Sequence, residues 1–163
     1  MQNEQNPADT AQEVRITHVF NADPETVFRA WTDPGQLAAW YAPEGCTIAF
    51  KKIAVRKGGG FHSCVHNPGH SDCWCKGTYL EIDPPRKLVF TAEVTDEQGN
   101  DIDPVSVGMP AGWPARTMVT VDFRPIGAQT EVTLHQTVAA PLAKSTGAFN
   151  GWIEMFNRLN QQL

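Results

Sequence analysis

Residues 141–163 have the sequence PLAKSTGAFNGWIEMFNRLNQQL. Pro141 is placed to begin a helix, and apolar side chains then recur at steps that keep them on one side of it as far as about Gln162. These side chains are Leu142, Phe149, Trp152, Ile153, Phe156, Leu159 and Leu163. A stripe this broad predicts a long C-terminal helix that packs against a large apolar surface.

At the other end of the chain, apolar and polar residues alternate over residues 14–20, which predicts a first strand. Two helix starts follow. Asp23 and Asp33 each stand as an N-capping carboxylate before a proline, Pro24 or Pro34, at the first helical position. We therefore expect two short helices directly after the first strand.

The middle of the chain, residues 46–138, is typical of antiparallel strands joined by turns. The predicted strands cover residues 47–52, 61–66, 72–82, 87–94, 116–125 and 130–138. Residues 96–112 are acidic and rich in Gly and Pro, and so are expected to form a long loop that could act as a lid. In the last hairpin the side chains predicted to face the core are Val119, Val121, Phe123, Val132, Leu134 and Val138.

This order of elements predicts an α+β helix-grip architecture. A curved antiparallel sheet of about six to seven strands would wrap around the long C-terminal helix, with the two short helices closing one end. A sheet that curves away from its helix tends to enclose a cavity. We expect one domain over residues 13–163, preceded by a polar, disordered lead over residues 1–12.

Composition limits the classes of partner. The chain of 163 residues has 13 Lys and Arg against 18 Asp and Glu, for a net charge of −5. An acidic chain without a basic stripe argues against binding to nucleic acid or to anionic membranes. We found neither a membrane-spanning apolar run nor a signal-peptide core, so the expectation is a cytoplasmic protein. A homodimer is also a candidate state.

Four motifs in this order resemble the START-like superfamily, also called SRPBCC. The motifs are VFRAWTDP at 27–34 leading to WYAP at 40–43, GGGF at 58–61, GTYLEIDPPRKLVFT at 77–91 and GWIEMFNRL at 151–159. Within that superfamily they are similar to the homologues of the activator of heat-shock-protein-90 ATPase. The resemblance implies the helix-grip fold. It also implies binding of a small hydrophobic molecule, since superfamily members bind lipids, sterols, polyketides or hormones, while the branch name suggests a chaperone-interaction module.

Aromatic and thioether side chains are the natural lining of such a cavity. The candidate ligand-binding residues are Trp40, Tyr41, Phe61, Trp74, Phe90, Trp113, Met118, Phe149, Trp152 and Phe156. No serine stands in a nucleophile-elbow motif and no acid and base are clearly paired, so the sequence favours binding over catalysis.

A second candidate site is the hairpin FHSCVHNPGHSDCWC at 61–75. Its imidazole and thiol groups are the ligands that zinc prefers, and the candidate ligands are His62, Cys64, His66, Cys73 and Cys75. A four-residue loop over 68–71 would place all five on one face of the sheet, whereas a five-residue loop over 67–71 would put the cysteines on the other face from the histidines. This hairpin supports the alternative of a metal-binding or redox-responsive protein.

The predicted faces of the second strand of this hairpin, residues 72–82, determine on which side of the sheet a metal would lie. Leu80 and Ile82 pattern inward together with Trp74 and Thr78, so the two cysteines of that strand are expected to point outward. A metal would then lie on the convex surface or at a contact between two copies of the chain. The remaining alternatives are ordinary strand residues and a cross-strand disulfide between Cys64 and Cys75.

Overall fold

A computed structural model describes residues 12–163, and these form one seven-stranded antiparallel sheet with helices packed on one face. The strands are β1 (Glu13–Phe20), β2 (Thr47–Ile53), β3 (Gly60–His66), β4 (Cys73–Asp83), β5 (Lys87–Thr95), β6 (Arg116–Ile126) and β7 (Gln129–Ala139). Their order across the sheet is β1-β7-β6-β5-β4-β3-β2, so β1 and β2 form its two edges. The predicted α+β helix-grip fold is confirmed. Of the predicted lead, residues 1–11 lie outside the described residues.

Two short helices follow β1, as predicted. Helix α1 covers Pro24–Thr32 and α2 covers Pro34–Trp40. The Asp23 carboxylate accepts a hydrogen bond from the Thr26 amide at 2.8 Å, and the Asp33 carboxylate accepts one from the Gly35 amide at 2.9 Å. Hydrogen bonding with the side chain and then the amide of Thr26 lowers the pKa of Asp23. The capping signals in the sequence therefore act as expected.

The prediction of one long C-terminal helix is wrong in one respect. The segment forms two helices, α3 (Ala140–Thr146) and α4 (Ala148–Gln162), and Gly147 between them has a φ of 82°. That left-handed conformation ends α3, and glycine adopts it without the steric cost that a Cβ would bring. Within α4, Trp152, Phe156 and Leu159 are buried against the sheet as the stripe predicted.

The face assignment of β4 is the second correction. Tyr79 is 3% exposed and lies in the core, whereas Leu80, predicted to point inward, is 42% exposed. A bulge between Tyr79 and Glu81 shifts the register and lets Ile82 pack against the core. The inward face predicted for Trp74 is therefore wrong, because the alternation was counted back from Leu80 and Ile82 across this bulge.

The remaining core follows the sequence. All six core positions predicted for the β6–β7 hairpin are buried. The predicted loop over 96–112 contains a bridge between Thr95 and Asp101 and a 3₁₀ turn over Pro104–Val107. Among residues 12–163, none of the helices is long and apolar enough to cross a bilayer.

Candidate functional site

An apolar cavity lies between the sheet and the helices. Its lining consists of Trp31, Leu37, Tyr41, Phe50, Phe61, Tyr79, Leu88 and Phe90. Its volume, measured as the space available to the centre of a water molecule, is only about 10 Å³. That is roughly the room that one water molecule needs. The hollow predicted from the fold is present, and the protein's own rings fill most of it.

One polar atom in this region is unsatisfied. Trp31 is 1% exposed, and its indole Nε1 is the only buried side-chain nitrogen or oxygen without a hydrogen-bond partner among residues 12–163. The neighbouring Trp40 is equally buried but donates its Nε1–H to the Ala30 carbonyl at 3.0 Å. Since a buried N–H without a partner costs free energy, Trp31 is the exception that calls for an explanation.

Two tyrosines, Tyr41 and Tyr79, also line the cavity. Burial raises the pKa of Tyr41 far above its usual value, with Tyr79 and Cys75 adding to the shift, and burial raises the pKa of Tyr79 to about 12. Both hydroxyls therefore stay protonated at neutral pH. The cavity wall is almost entirely apolar and carries no charged side chain, which suits an uncharged ligand.

Arg158 holds the chain segment next to this cavity. From α4 its Nη1 donates to the carbonyls of Pro43 and Cys46, both at 3.1 Å, and also to that of Ala42. Its Nη2 donates to the Ala39 carbonyl at 3.3 Å. We name this set of hydrogen bonds the Arg158 clamp. Residues 42–46, which follow the cavity residue Tyr41, are thereby fixed to the C-terminal helix.

The His/Cys hairpin does not have the register that the five-ligand zinc hypothesis requires. Cys73 lies opposite Val65, and Cys75 lies opposite Ser63. Both cysteines therefore share the inward face with Phe61 and Tyr79.

The other hairpin candidates, His62, Cys64 and His66, point to the convex face. The structure accordingly places Cys64 and Cys75 on opposite faces, and all four cysteines are free thiols. Within the described part of the chain, no three His, Cys, Asp or Glu side chains form a group that could hold a metal ion.

The convex-face residues of the hairpin have local partners. His62 is buried, with its Nε2 3.3 Å from the Thr95 hydroxyl and its ring 5.1 Å from that of Trp74. His66 Nδ1 lies 2.8 Å from the Asp72 carboxylate on the surface. These contacts account for the histidines as structural residues.

Residues 21–163 match the family described as activator of Hsp90 ATPase homolog 1-like protein. The chain belongs to this family. Among curated proteins, no sequence matches it.

Solved structures share the fold of this family member. A solution NMR structure of an Arthrobacter aurescens protein is 23% identical with a TM-score of 0.78, covering 92% of this chain and 84% of that one. A crystal structure of a Mycobacterium smegmatis protein is 19% identical with a TM-score of 0.78, covering 99% and 96%. The AHSA1 protein from Silicibacter pomeroyi is 19% identical with a TM-score of 0.72, covering 92% and 96%. At these identities the likeness concerns the fold.

Three of the ten residues that the sequence proposed for the cavity border it in this family member: Tyr41, Phe61 and Phe90. Trp40, Trp152 and Phe156 are buried in the surrounding core. Trp113 and Phe149 are half-buried against that core. Trp74 lies on the convex face beside His62, and Met118 is 39% exposed, so neither can reach the cavity.

Five lining residues escaped the sequence analysis: Trp31, Leu37, Phe50, Tyr79 and Leu88. Trp31 and Leu37 lie on the two short helices, α1 and α2, which the sequence predicted without assigning them to the cavity. Tyr79 shares a face with Cys73 and Cys75, which were expected to point outward because the alternation was counted back from Leu80 across the bulge. The signal that could have found Trp31 is its position at the inner face of α1, which the helix-grip fold directs toward the end of the cavity.

Proposed function

We propose that this protein binds a small, uncharged and mostly apolar molecule that carries a hydrogen-bond acceptor, in the cavity between the sheet and its helices. The observation that carries the proposal is the unpartnered Nε1–H of Trp31 in an otherwise apolar lining. A ligand carbonyl or ether oxygen would satisfy it. The START-like fold of the family, which commonly binds hydrophobic molecules, supports the same assignment.

Binding requires the cavity to widen, because its free space holds little more than one water molecule. Tyr41 and Phe50 are the half-buried members of the lining, and Phe50 lies on the edge strand β2, which pairs only with β3. An edge strand has hydrogen bonds on one side only. We therefore expect Phe50 and Tyr41 to move outward when a ligand enters, while the fully buried side chains keep their places.

Two ligands of matched shape test the role of Trp31. Acetophenone and α-methylstyrene have the same arrangement of non-hydrogen atoms, but only acetophenone carries an acceptor oxygen. Titration followed by NMR chemical shifts should give tighter binding of acetophenone, relative to α-methylstyrene, by about two- to tenfold, the worth of one hydrogen bond. The variant Trp31→Phe should remove that preference while still binding both compounds.

The location of the binding site is tested by placing a larger side chain at the edge of the cavity. Phe50→Trp should weaken binding of both compounds, whereas Met118→Trp, the matched change on the convex face, should leave it unaltered. Absence of binding at millimolar ligand, or an acetophenone preference that survives Trp31→Phe, would overturn the proposal. The chaperone-interaction role suggested by the family name stays a prediction.

A further inference from the structure

Two thiols lie side by side where β4 begins. Cys73 is the first residue of this strand, and Cys75 follows on the same face. A strand rise near 3.3 Å per residue puts their Cα atoms about 6.6 Å apart, at the upper end of the range for disulfides. Side chains two residues apart on a strand run parallel, so a bond requires the backbone at Cys73, the first residue of the strand, to bend toward Cys75.

The two cysteines differ in their access to solvent. Cys73 is exposed and borders an open cleft, whereas Cys75, two residues further along the strand, is half-buried. Measured in the same way as the central cavity, as the space available to the centre of a water molecule, this cleft has a volume of about 410 Å³. Its walls include Trp74, Val94, Ile102 and Val107 and are largely apolar. A reagent that enters the cleft would reach Cys73 first.

The two thiols also differ chemically. Hydrogen bonding with the Cys75 thiol lowers the pKa of Cys73 below its usual value. The same interaction, together with burial, raises the pKa of Cys75. Of the two, Cys73 therefore carries the larger fraction of thiolate, the nucleophilic form, beside a protonated partner. An accessible, acidic cysteine next to a second thiol is the arrangement typical of redox-active pairs.

We propose that Cys73 and Cys75 form a hydroperoxide-reactive thiol pair, in which Cys73 is oxidised first and Cys75 closes an intramolecular disulfide. The Cys73 thiolate attacks one peroxide oxygen, the O–O bond breaks, and the leaving alkoxide or hydroxide takes up a proton. Cys73 becomes a sulfenic acid. The Cys75 sulfur then attacks it, the S–S bond forms, and water leaves with the Cys75 proton. Overall, two thiols are oxidised and one hydroperoxide is reduced to an alcohol, or to water, plus a further water.

Cys64 is the alternative partner, and its position argues against it. It lies opposite Trp74 on β3 and so points to the other face of the sheet. Burial and the Asp72 carboxylate raise its pKa, which keeps it protonated and unreactive at neutral pH. Cys73, by contrast, adjoins the hairpin loop of residues 67–72, where the backbone can shift to bring the two sulfurs into bonding distance.

The test uses the full-length reduced protein and cumene hydroperoxide at pH 7, followed by alkylation and intact mass spectrometry. Two of the four cysteines should become resistant to alkylation. Cys64→Ser and Cys46→Ser should form the same disulfide as the wild type. Cys75→Ser should stop at a sulfenic acid that dimedone traps at Cys73, and Cys73→Ser should slow oxidation by at least about tenfold.

A second comparison identifies the peroxide. Val107 is 51% exposed on the cleft wall, so Val107→Asp adds a charge there with little effect on folding. If organic hydroperoxides use the cleft, this variant should react more slowly than the wild type with cumene hydroperoxide but equally fast with hydrogen peroxide. If the ratio of these two reaction rates is the same in the variant and the wild type, the site is assigned to hydrogen peroxide. Equal oxidation of all four thiols, or a disulfide that includes Cys64, would overturn the pair. The central cavity plays no part in this reaction, so either proposal can fail without the other.

Discussion

At the scale of single residues, Trp31 on the cavity wall and its core neighbour Trp40 form a matched pair. Trp31 and Trp40 are both fully buried, and their rings meet edge to face at 4.7 Å. Only Trp40 has a partner for its indole N–H. Trp40 therefore uses its donor within the core, whereas Trp31 retains an unused donor beside the cavity.

Replacing each tryptophan by phenylalanine should therefore have unequal effects. Trp40→Phe removes a hydrogen bond and leaves the Ala30 carbonyl without its donor, whereas Trp31→Phe removes an N–H that had no partner. We expect Trp40→Phe to be the more destabilising by about 1–2 kcal/mol in urea unfolding. Equal losses would mean that the Trp31 N–H is satisfied in solution.

At the scale of elements, Gly147 and Gly151 lie four residues apart but have opposite requirements. Gly147 separates α3 from α4 with a φ of 82°, so a Cβ there is strained. Gly151 lies within α4, and a Cβ built on it would meet Pro43 Cγ at 3.6 Å, an ordinary contact. The same substitution therefore probes two different roles of glycine.

Gly147→Ala should destabilise the protein by about 1–2 kcal/mol, the cost of a left-handed alanine. Gly151→Ala should instead stabilise it by up to about 1 kcal/mol, because alanine is the better helix former. Thermal unfolding of the two variants measures both. A loss of stability in both would show that the Pro43 contact is tighter than its distance indicates.

The Arg158 clamp joins α4 to the segment after α2, and its loss should be costly. Arg158→Ala removes four hydrogen bonds from a guanidinium to backbone carbonyls. We expect a destabilisation of about 2–3 kcal/mol in urea unfolding. Arg124→Ala, which breaks the exposed ion pair with Glu131, is the control and should cost at most about 1 kcal/mol. Similar losses in both variants would contradict the importance of the clamp.

The elements also show where sequence reasoning succeeds. The capping residues Asp23 and Asp33 act locally, and so they predicted α1 and α2 well. The faces of β4 failed because a bulge beside Tyr79 interrupts the alternation of side chains, and a bulge leaves no mark in the order of polar and apolar residues. The zinc site failed on a separate local feature, the register of the hairpin. Cys73 lies opposite Val65, so Cys73 and Cys75 face away from the histidines.

At the scale of the whole molecule, the sheet is open, and β1 at one edge meets the C-terminal helix. His18 on β1 has its ring 4.4 Å from that of Phe20 and 5.9 Å from that of Phe156 on α4. Burial among these rings lowers the pKa of His18 below its usual 6.5. The contact between sheet edge and helix thus prefers the neutral imidazole.

This preference makes stability depend on pH. Because the unfolded chain binds the His18 proton more readily, the contribution of His18 is complete above about pH 6.5 and is lost as pH falls. Urea unfolding of the wild type and of His18→Asn should therefore differ more at pH 7.5 than at pH 5. A difference that is constant across this range would show that the pKa of His18 is the same in the folded and unfolded states.

The whole fold was predictable because it depends on the burial of many apolar side chains together, such as those of Val119 and Leu134. An error in the face of one strand changes only a small part of that burial. The cavity was predictable in kind but not in detail. Aromatic identity could not distinguish Trp31, which borders it, from Trp152, which is buried in the core around it. That distinction depends on packing distances of a few ångströms, which no pattern of residue types encodes.

The Arg158 clamp grips only main-chain oxygens, and these are present whatever side chains the gripped segment carries. Selection for the hold itself therefore acts on the path of the backbone and not on the side chains of residues 42–46. Protein engineering can exchange the exposed Glu44 while the hold is kept, whereas the burial of Ala42 and Cys46 and the φ of 82° at Gly45 constrain those three positions for other reasons.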